Sequence, residues 1–234
     1  MRLPGPLHPA RFLERPNRFL AIVDVEGRRV EAHLPDPGRL KELLVPGRRV
    51  WVRPARGEGR RTAFTLALAE APTGELVSLV TTLPNALAAE ALEAGRIREL
   101  TGWEPLGREQ RWGRSRFDFR LGRPGGREML LEVKSVTLVQ DGRAFFPDAV
   151  TARGARHVRE LAEAREAGLE AAVLFVAQRR DARSVTAARS IDPEFADALE
   201  SAADAGVRLL GYRCRVTLTS ARLTEPIPVS VGPG

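Results

Sequence analysis

RSRFDFRLGRPGGREMLLEVKS (residues 114–135) contains two segments with the alternation of a β-strand, separated by the turn GRPGGR. In the first segment two phenylalanines share one face and Asp118 lies on the other; in the second, Glu132 and Lys134 lie opposite the aliphatic residues. The turn folds the two strands antiparallel, so we expect Asp118 and Glu132 to be cross-strand neighbours. Charged groups inside strands cost desolvation energy unless they face water or bind a ligand.

These charged residues predict a metal-dependent hydrolytic site. Two neighbouring carboxylates repel each other, and a shared proton or a divalent cation relieves that repulsion. We predict Mg²⁺ or Mn²⁺ held by Asp118, Glu132 and the carbonyl oxygen of Val133, with Lys134 positioning water or balancing charge at phosphorus. An Asp followed by Glu-x-Lys on adjacent strands is the motif of PD-(D/E)XK phosphodiesterases, but its spacing is loose. An exposed strand face with a Glu/Lys pair explains the same residues equally well.

The chain before this stretch is dense in short strands. Residues 18–34 have the pattern of a hairpin, and a turn with a short helix is expected over residues 35–44. Three more strands, separated by Gly and Pro, are expected over residues 48–54, 61–71 and 74–82. This spacing predicts an OB-like β-barrel over residues 1–84, serving as a nucleic-acid-binding domain.

From residue 85 onward the pattern changes to a mixture of helices and strands. Residues 84–97 are predicted to form a helix capped by Asn85. The continuous apolar run at 170–178 is typical of a buried central strand. We therefore predict a mixed α/β (α+β) domain over residues 85–234, with the boundary near Pro84.

The charge of the chain indicates a polyanionic partner. The formal net charge is +7, and residues 48–61 hold six arginines and one glutamate. An arginine-rich composition or a solvated surface loop would give the same pattern. Lys41 and Lys134 are the only lysines, so the lysine of the motif is one of two that arginine has not replaced.

Several protein classes are disfavoured by the sequence. No apolar run approaches the ~20 residues that span a bilayer, and the N-terminal residues do not resemble a signal peptide. The single cysteine, Cys214, cannot form an internal disulfide. We expect a soluble cytoplasmic protein without a membrane partner.

The chain resembles the sugar fermentation stimulation protein family along nearly its whole length. Seven segments carry the resemblance, in the order RFLERPNRFLA, AHLPDPGRLKELL, TTLPNALAAEAL, GRSRFDF, LEVKSVTL, FPDAVTARGARHVREL and IDPEFADAL. It implies an OB-like N-terminal domain, a PD-(D/E)XK nuclease-like C-terminal domain, DNA binding and a link to the regulation of sugar (maltose) metabolism. The family pattern expects an Asn and a small residue where this chain has Asp36-Pro37.

The resemblance also implies roles for individual residues. Asp118, Glu132 and Lys134 form the core of the site, and Glu90 lies where these nucleases often add a carboxylate, although an exposed helical Glu explains it too. Asp148 either lines the same cleft or caps the helix beginning near Thr151, and we favour the cap. Arg15, Arg18 and Phe19 combine charge with an aromatic ring, as a DNA contact requires, but we expect Phe19 to lie in the barrel core. Contacts to DNA phosphates are expected from Arg15, Arg18, Arg39, Arg53, Arg56, Arg153 and Arg156.

Two functions that require DNA remain open at this point, beside a third possibility, a basic scaffold for a protein partner, which no sequence feature favours or excludes. The first is metal-dependent hydrolysis of DNA phosphodiesters. The alternative is a non-catalytic DNA-binding regulator of sugar metabolism genes, built on an idle nuclease scaffold. Both require DNA as the partner, and a homodimer is compatible with either.

Overall fold

A closed β-barrel forms the first part of the chain in the computed structural model, which describes residues 1–55 and 61–232. Its strands are β1 (His8–Asn17), β2 (Leu20–Val25), β3 (Arg28–His33), β4 (Arg49–Pro54) and β5 (Phe64–Glu70), with the short β6 (Leu76–Ser78) beside β5. β1 pairs with both β2 and β4, and a parallel pairing of β3 with β5 closes the ring. Five strands closed in this way form an OB-type barrel, which confirms the predicted N-terminal fold.

Two parts of the barrel differ from the sequence prediction. β1 is an additional strand, which lacks a clean alternation because charged residues and Pro16 interrupt it. Residues 35–44 contain a single turn at 41–43 instead of a short helix. The backbone of Leu40 has a positive φ of 50°, which is incompatible with a continuing right-handed helix.

A six-stranded mixed sheet forms the centre of the second part, in the order β15-β14-β12-β9-β8-β7. Its strands are β7 (Glu104–Trp112), β8 (Ser115–Arg123), β9 (Arg127–Val136), β12 (Glu170–Ala177), β14 (Arg208–Val216) and β15 (Ala221–Ile227). β12 lies parallel between β9 and β14, and its buried side chains confirm the predicted central strand. A smaller sheet contains β10 (Leu138–Gln140), β11 (Arg143–Phe146), β13 (Ser184–Ala187) and β16 (Val229–Ser230).

Helices cover both faces of the large sheet. α1 (Leu83–Glu93), followed by a 3-10 turn (Arg98–Leu100), shares its core with the sheet and with barrel residues such as Trp51. α2 (Ala152–Glu166) and α3 (Pro193–Asp204) pack on the opposite face. The order of a helix, three antiparallel strands, a helix and a parallel strand gives a nuclease-like α/β domain. None of the described helices is long and apolar enough to cross a membrane.

The junction between the two parts lies close to α1. The predicted boundary at Pro84 lies within the first turn of this helix. Residues at the start of the chain cross to the second part, where Arg2 forms a β-bridge with Ser220. The barrel and the nuclease-like domain therefore share a packed interface, and the candidate site lies beside it.

Candidate active site

The pairing of β8 with β9 ends just before Asp118 and Glu132. The two strands pair from their connecting turn as far as Phe119 opposite Leu131, where the ladder ends. At the next position the carboxylate of Asp118 accepts a hydrogen bond from the backbone N–H of Val133, at 2.7 Å. Because the N–H and C=O of one strand residue point to the same side, the Val133 carbonyl faces this end of the ladder too.

Asp118 is held by donors from two directions. Besides the Val133 amide, Nδ2 of Asn85 donates to its carboxylate at 2.5 Å. Burial, followed by the nearby charge of Glu132, raises the pKa of Asp118 to about 6. Asn85 was expected to cap α1, but the helix is preceded by Thr82, and Asn85 lies within its first turn. Its amide therefore orients the Asp118 carboxylate instead.

Glu132 is buried on β9 and has two partners on one oxygen. Its Oε1 lies 2.7 Å from Nζ of Lys134 and 2.7 Å from Nδ1 of His157. Burial alone raises the pKa of Glu132, but the hydrogen bond from His157 and the charge of Lys134 outweigh burial and lower it overall. Its Oε2 is buried without a hydrogen-bond partner. One carboxylate oxygen therefore remains to bind a ligand.

His157 is a member of this cluster that the motif did not indicate. It is 2% exposed on α2, and its ring lies 5.6 Å from that of Phe117. Arg153 donates to Nε2 at 3.2 Å, so Nδ1 carries the proton that bonds Glu132. The sequence signal for this role is a lone histidine among the apolar residues of the helix that begins near Thr151. The sequence does not indicate its partner, because Glu132 lies 25 residues away.

Lys134 faces a cleft between the barrel and the nuclease-like domain. The cleft has a volume of about 540 Å³, and Arg18 and Asp36 line it from the barrel side. Asp148 lines the opposite side and accepts a hydrogen bond from the N–H of Leu40 at 3.4 Å. The expectation that Asp148 caps α2 is wrong, because Thr151 occupies the cap and accepts from the N–H of Gly154.

The barrel loop at residues 36–40 is fixed against this cleft. A Cβ atom at Gly38 would collide with the carboxylate of Asp148, so a larger residue here would force that side chain to move. Arg15 holds the loop in place by donating hydrogen bonds to four backbone carbonyl oxygens, those of Arg18, Asp36, Gly38 and Arg39. The two terminal nitrogens of the Arg15 guanidinium therefore bind the loop, which differs from the phosphate contact predicted for this residue.

The other predicted DNA contacts occupy different positions. Arg18 and Arg153 line the cleft. Arg39 and Arg156 are exposed, Arg53 is half-buried on β4, and Arg56 lies outside the described residues. Two of these arginines therefore line the same cleft as Lys134.

Glu90 does not join the cluster, which corrects the catalytic role expected for it. Its carboxylate bonds Arg96 and the amino group of Met1. Glu90 comes five residues after Asn85 on α1, and that spacing places the two side chains on different faces of the helix.

The oxygen ligands for a metal are limited in number. Within residues 1–55 and 61–232 no group of three or more His, Cys, Asp or Glu side chains is arranged to hold an ion. The site offers two carboxylates, those of Asp118 and Glu132, and the backbone carbonyl of Val133. Mg²⁺ retains several waters and takes one or two protein carboxylates, so this set is compatible with it.

The chain matches two family models that divide it as the fold does. Residues 13–79 match the SfsA N-terminal OB domain, and residues 82–220 match the Sugar fermentation stimulation protein RE domain.

Curated relatives match over their full length. The sugar fermentation stimulation protein homolog of Shouchella clausii is 47% identical, and the match covers 99% of this chain and 100% of the relative. The homolog of Moorella thermoacetica is 44% identical, with the same coverage of both chains. The solved structure of Pyrococcus furiosus SfsA in complex with Ca²⁺ is 29% identical, has a TM-score of 0.89 and matches over 98% of each chain. The chain therefore belongs to the sugar fermentation stimulation protein family.

Proposed function

We propose that this chain is a divalent-metal-dependent DNA phosphodiesterase. The observation that carries the proposal is the buried Oε2 of Glu132, which has no hydrogen-bond partner and lies beside a second carboxylate. A buried carboxylate oxygen without a donor is costly unless a ligand completes its coordination. The Ca²⁺ complex of the Pyrococcus furiosus relative supports a divalent ion as that ligand.

Asp118, Glu132 and the Val133 carbonyl would hold Mg²⁺ or Mn²⁺. Both are hard cations that bind carboxylate and carbonyl oxygens, with water as the remaining ligands. A bound divalent ion would polarise a phosphoryl oxygen and lower the pKa of a water molecule. Asn85 and His157 would keep the two carboxylates in place, because each donates to one of them.

Lys134 would act on the reacting phosphate or on the attacking water. Its ammonium is held at 2.7 Å from Glu132, and its side chain is only 11% exposed. A compact ammonium in a buried site stabilises developing negative charge more strongly than it would in water. This burial and this ion pair support a catalytic role for Lys134.

The cleft supports DNA as the substrate. Arg18 and Arg153 lie on its two sides, so a phosphodiester backbone would pass between two positive charges. The net charge of +7 adds a long-range attraction for a polyanion.

Cleavage of supercoiled and linear DNA in Mg²⁺ and in Mn²⁺ tests this function. We expect Lys134→Ala to lower the rate about 100-fold or more. Lys41→Ala is the matched control, because Lys41 is the other lysine of the chain and is exposed. Glu132→Gln should also abolish cleavage, whereas Glu128→Gln, on the same strand, should not.

The same assay separates cleavage from binding. Failure of the wild-type protein to cut any form of DNA with either metal would contradict the nuclease proposal. Salt-dependent DNA binding without cleavage would then favour the non-catalytic regulator.

A further inference from the structure

Phe19 is an exposed aromatic residue that the proposed cleavage chemistry does not use. It lies between β1 and β2 and is 44% exposed, which contradicts the barrel-core position expected from sequence. Large apolar side chains at the surface are common singly, so exposure alone assigns no role to it.

The backbone of Phe19 is fixed on both sides. Its N–H donates to Oδ1 of Asn17 at 2.9 Å, and its carbonyl accepts from the N–H of Leu34 at 2.9 Å. The guanidinium of Arg18 lies over the ring, 4.8 Å from the ring centroid. The ring is therefore held outward at a defined position.

Phe19 lines a groove on the surface of the barrel. This Phe19 groove has a volume of about 630 Å³ and is also lined by Glu31, His33, Arg61 and Thr62. Among the described residues, Arg61 and the adjacent Arg18 supply positive charge against the carboxylate of Glu31. An aromatic ring flanked by arginines is suited to stacking a base and holding its phosphates.

The groove is adjacent to the catalytic cleft. Arg18 lines the cleft that contains Lys134, and the next residue, Phe19, lines the groove. A strand lying in the groove would therefore pass Arg18 on its way to the cleft. The two cavities are therefore neighbours on the surface, joined by the consecutive residues Arg18 and Phe19.

We propose that the Phe19 groove binds single-stranded DNA, with an unpaired base stacked on the ring of Phe19. In a duplex the base faces are covered by neighbouring bases, so only an unpaired base can stack on the side chain. This inference rests on the proposed function and deepens it, because it specifies DNA with an unpaired segment as the substrate.

Fluorescence anisotropy in EDTA tests the groove without requiring cleavage. The probes are a single strand of about 12 nucleotides and a blunt duplex of the same sequence. We expect Phe19→Ala to weaken single-strand binding about tenfold and to change duplex binding less than twofold. Phe19→Trp should restore single-strand binding, because it keeps a stacking surface.

Leu218→Ala is the matched control, since Leu218 is similarly exposed, at 45%, and lines neither cavity. It should bind both probes like the wild type. An equal loss for both probes in Phe19→Ala, or no loss for the single strand, would overturn the proposal. Circular dichroism and thermal unfolding show whether each variant is folded. Because EDTA removes the metal, failure of this test is distinct from failure of the nuclease proposal.

Discussion

Nδ1 of His157 lies 2.7 Å from Oε1 of Glu132, and both side chains are almost completely buried. Arg153 binds the other ring nitrogen, so the neutral tautomer with its proton on Nδ1 is selected. The helix α2 thereby fixes the orientation of a carboxylate on β9. This contact leaves Oε2 of Glu132 as the oxygen that can meet a ligand.

Loss of this histidine should affect both stability and metal binding. His157→Ala leaves a buried carboxylate oxygen with one donor fewer, so we expect a loss of about 1–3 kcal/mol in the free energy of unfolding. Mn²⁺ affinity, measured by titration calorimetry, should fall about 10–100-fold, as for other residues that orient metal ligands. His8→Ala is the control, because His8 lies on β1 of the barrel. Unchanged Mn²⁺ affinity in a folded His157→Ala protein would contradict this role.

Asn85 should set the pH range over which Asp118 binds a metal. Its hydrogen bond lowers the pKa of Asp118, opposing the upward effect of burial. Asn85→Ala therefore raises this pKa further, and Mn²⁺ binding should require a higher pH than in the wild type. Calorimetric titrations at pH 6 and pH 8 check this. Gln110→Ala, which removes an exposed amide bound to the Arg108 carbonyl, should leave both titrations unchanged.

Arg15 and Arg18 should differ in their effects on DNA binding. Arg15→Ala removes hydrogen bonds to four carbonyls, so we expect a loss on the order of 2–4 kcal/mol in unfolding free energy. In a folded Arg15→Ala protein the salt dependence of duplex binding should match the wild type. Arg18→Ala should instead reduce the slope of log K against log salt by about 0.9, the value for one phosphate contact. Equal slopes for Arg18→Ala and the wild type would show that Arg18 does not contact phosphate.

Asp36 should make the protein less stable as the pH rises. Burial is the main cause that raises the pKa of Asp36 to about 6, and the charge of Asp148 adds to it. The folded state therefore holds this proton more tightly than the unfolded state. The contribution of this bound proton to the free energy of unfolding is fully present below about pH 4 and is lost as the pH rises through about 6.

Asp36→Asn checks this prediction with the residue that the family pattern expects at this position. Its Oδ1 can still accept from the N–H of Gly38. We expect the variant to be more stable than the wild type by on the order of 2 kcal/mol at pH 7.5 in urea unfolding, with little difference at pH 4. Asp204→Asn, at an exposed carboxylate, should show no such pH dependence. An equal difference at both pH values would contradict the assignment to Asp36.

Local sequence patterns predicted the scaffold of the site well. The alternation in residues 114–135 placed Asp118, Glu132 and Lys134 on two strands joined by a turn, and the structure has that hairpin. Short alternating segments separated by Gly and Pro also predicted the barrel, and the mixture of helical and strand patterns predicted the α/β domain. Alternation and turn chemistry are properties of neighbouring residues, so they can be read without knowledge of packing.

The partners of these residues could not be predicted in the same way. Asn85 and Asp118 are 33 residues apart, and Glu132 and His157 are 25 apart. Whether a helical Asn caps its own helix or binds a distant carboxylate depends on how that helix packs on the sheet. The partner of Glu90 also depends on how α1 packs, since in the folded chain its carboxylate forms an ion pair with Arg96.

The sequence by itself determined the family, the order of the two domains and the residues of the Asp-Glu-x-Lys motif, because each is encoded in contiguous segments. Only the tertiary structure decided that Arg15 clamps a loop, that Phe19 faces outward and that His157 holds Glu132. These outcomes depend on which surfaces meet when the barrel and the helices pack, and burial then determines which polar groups must find partners.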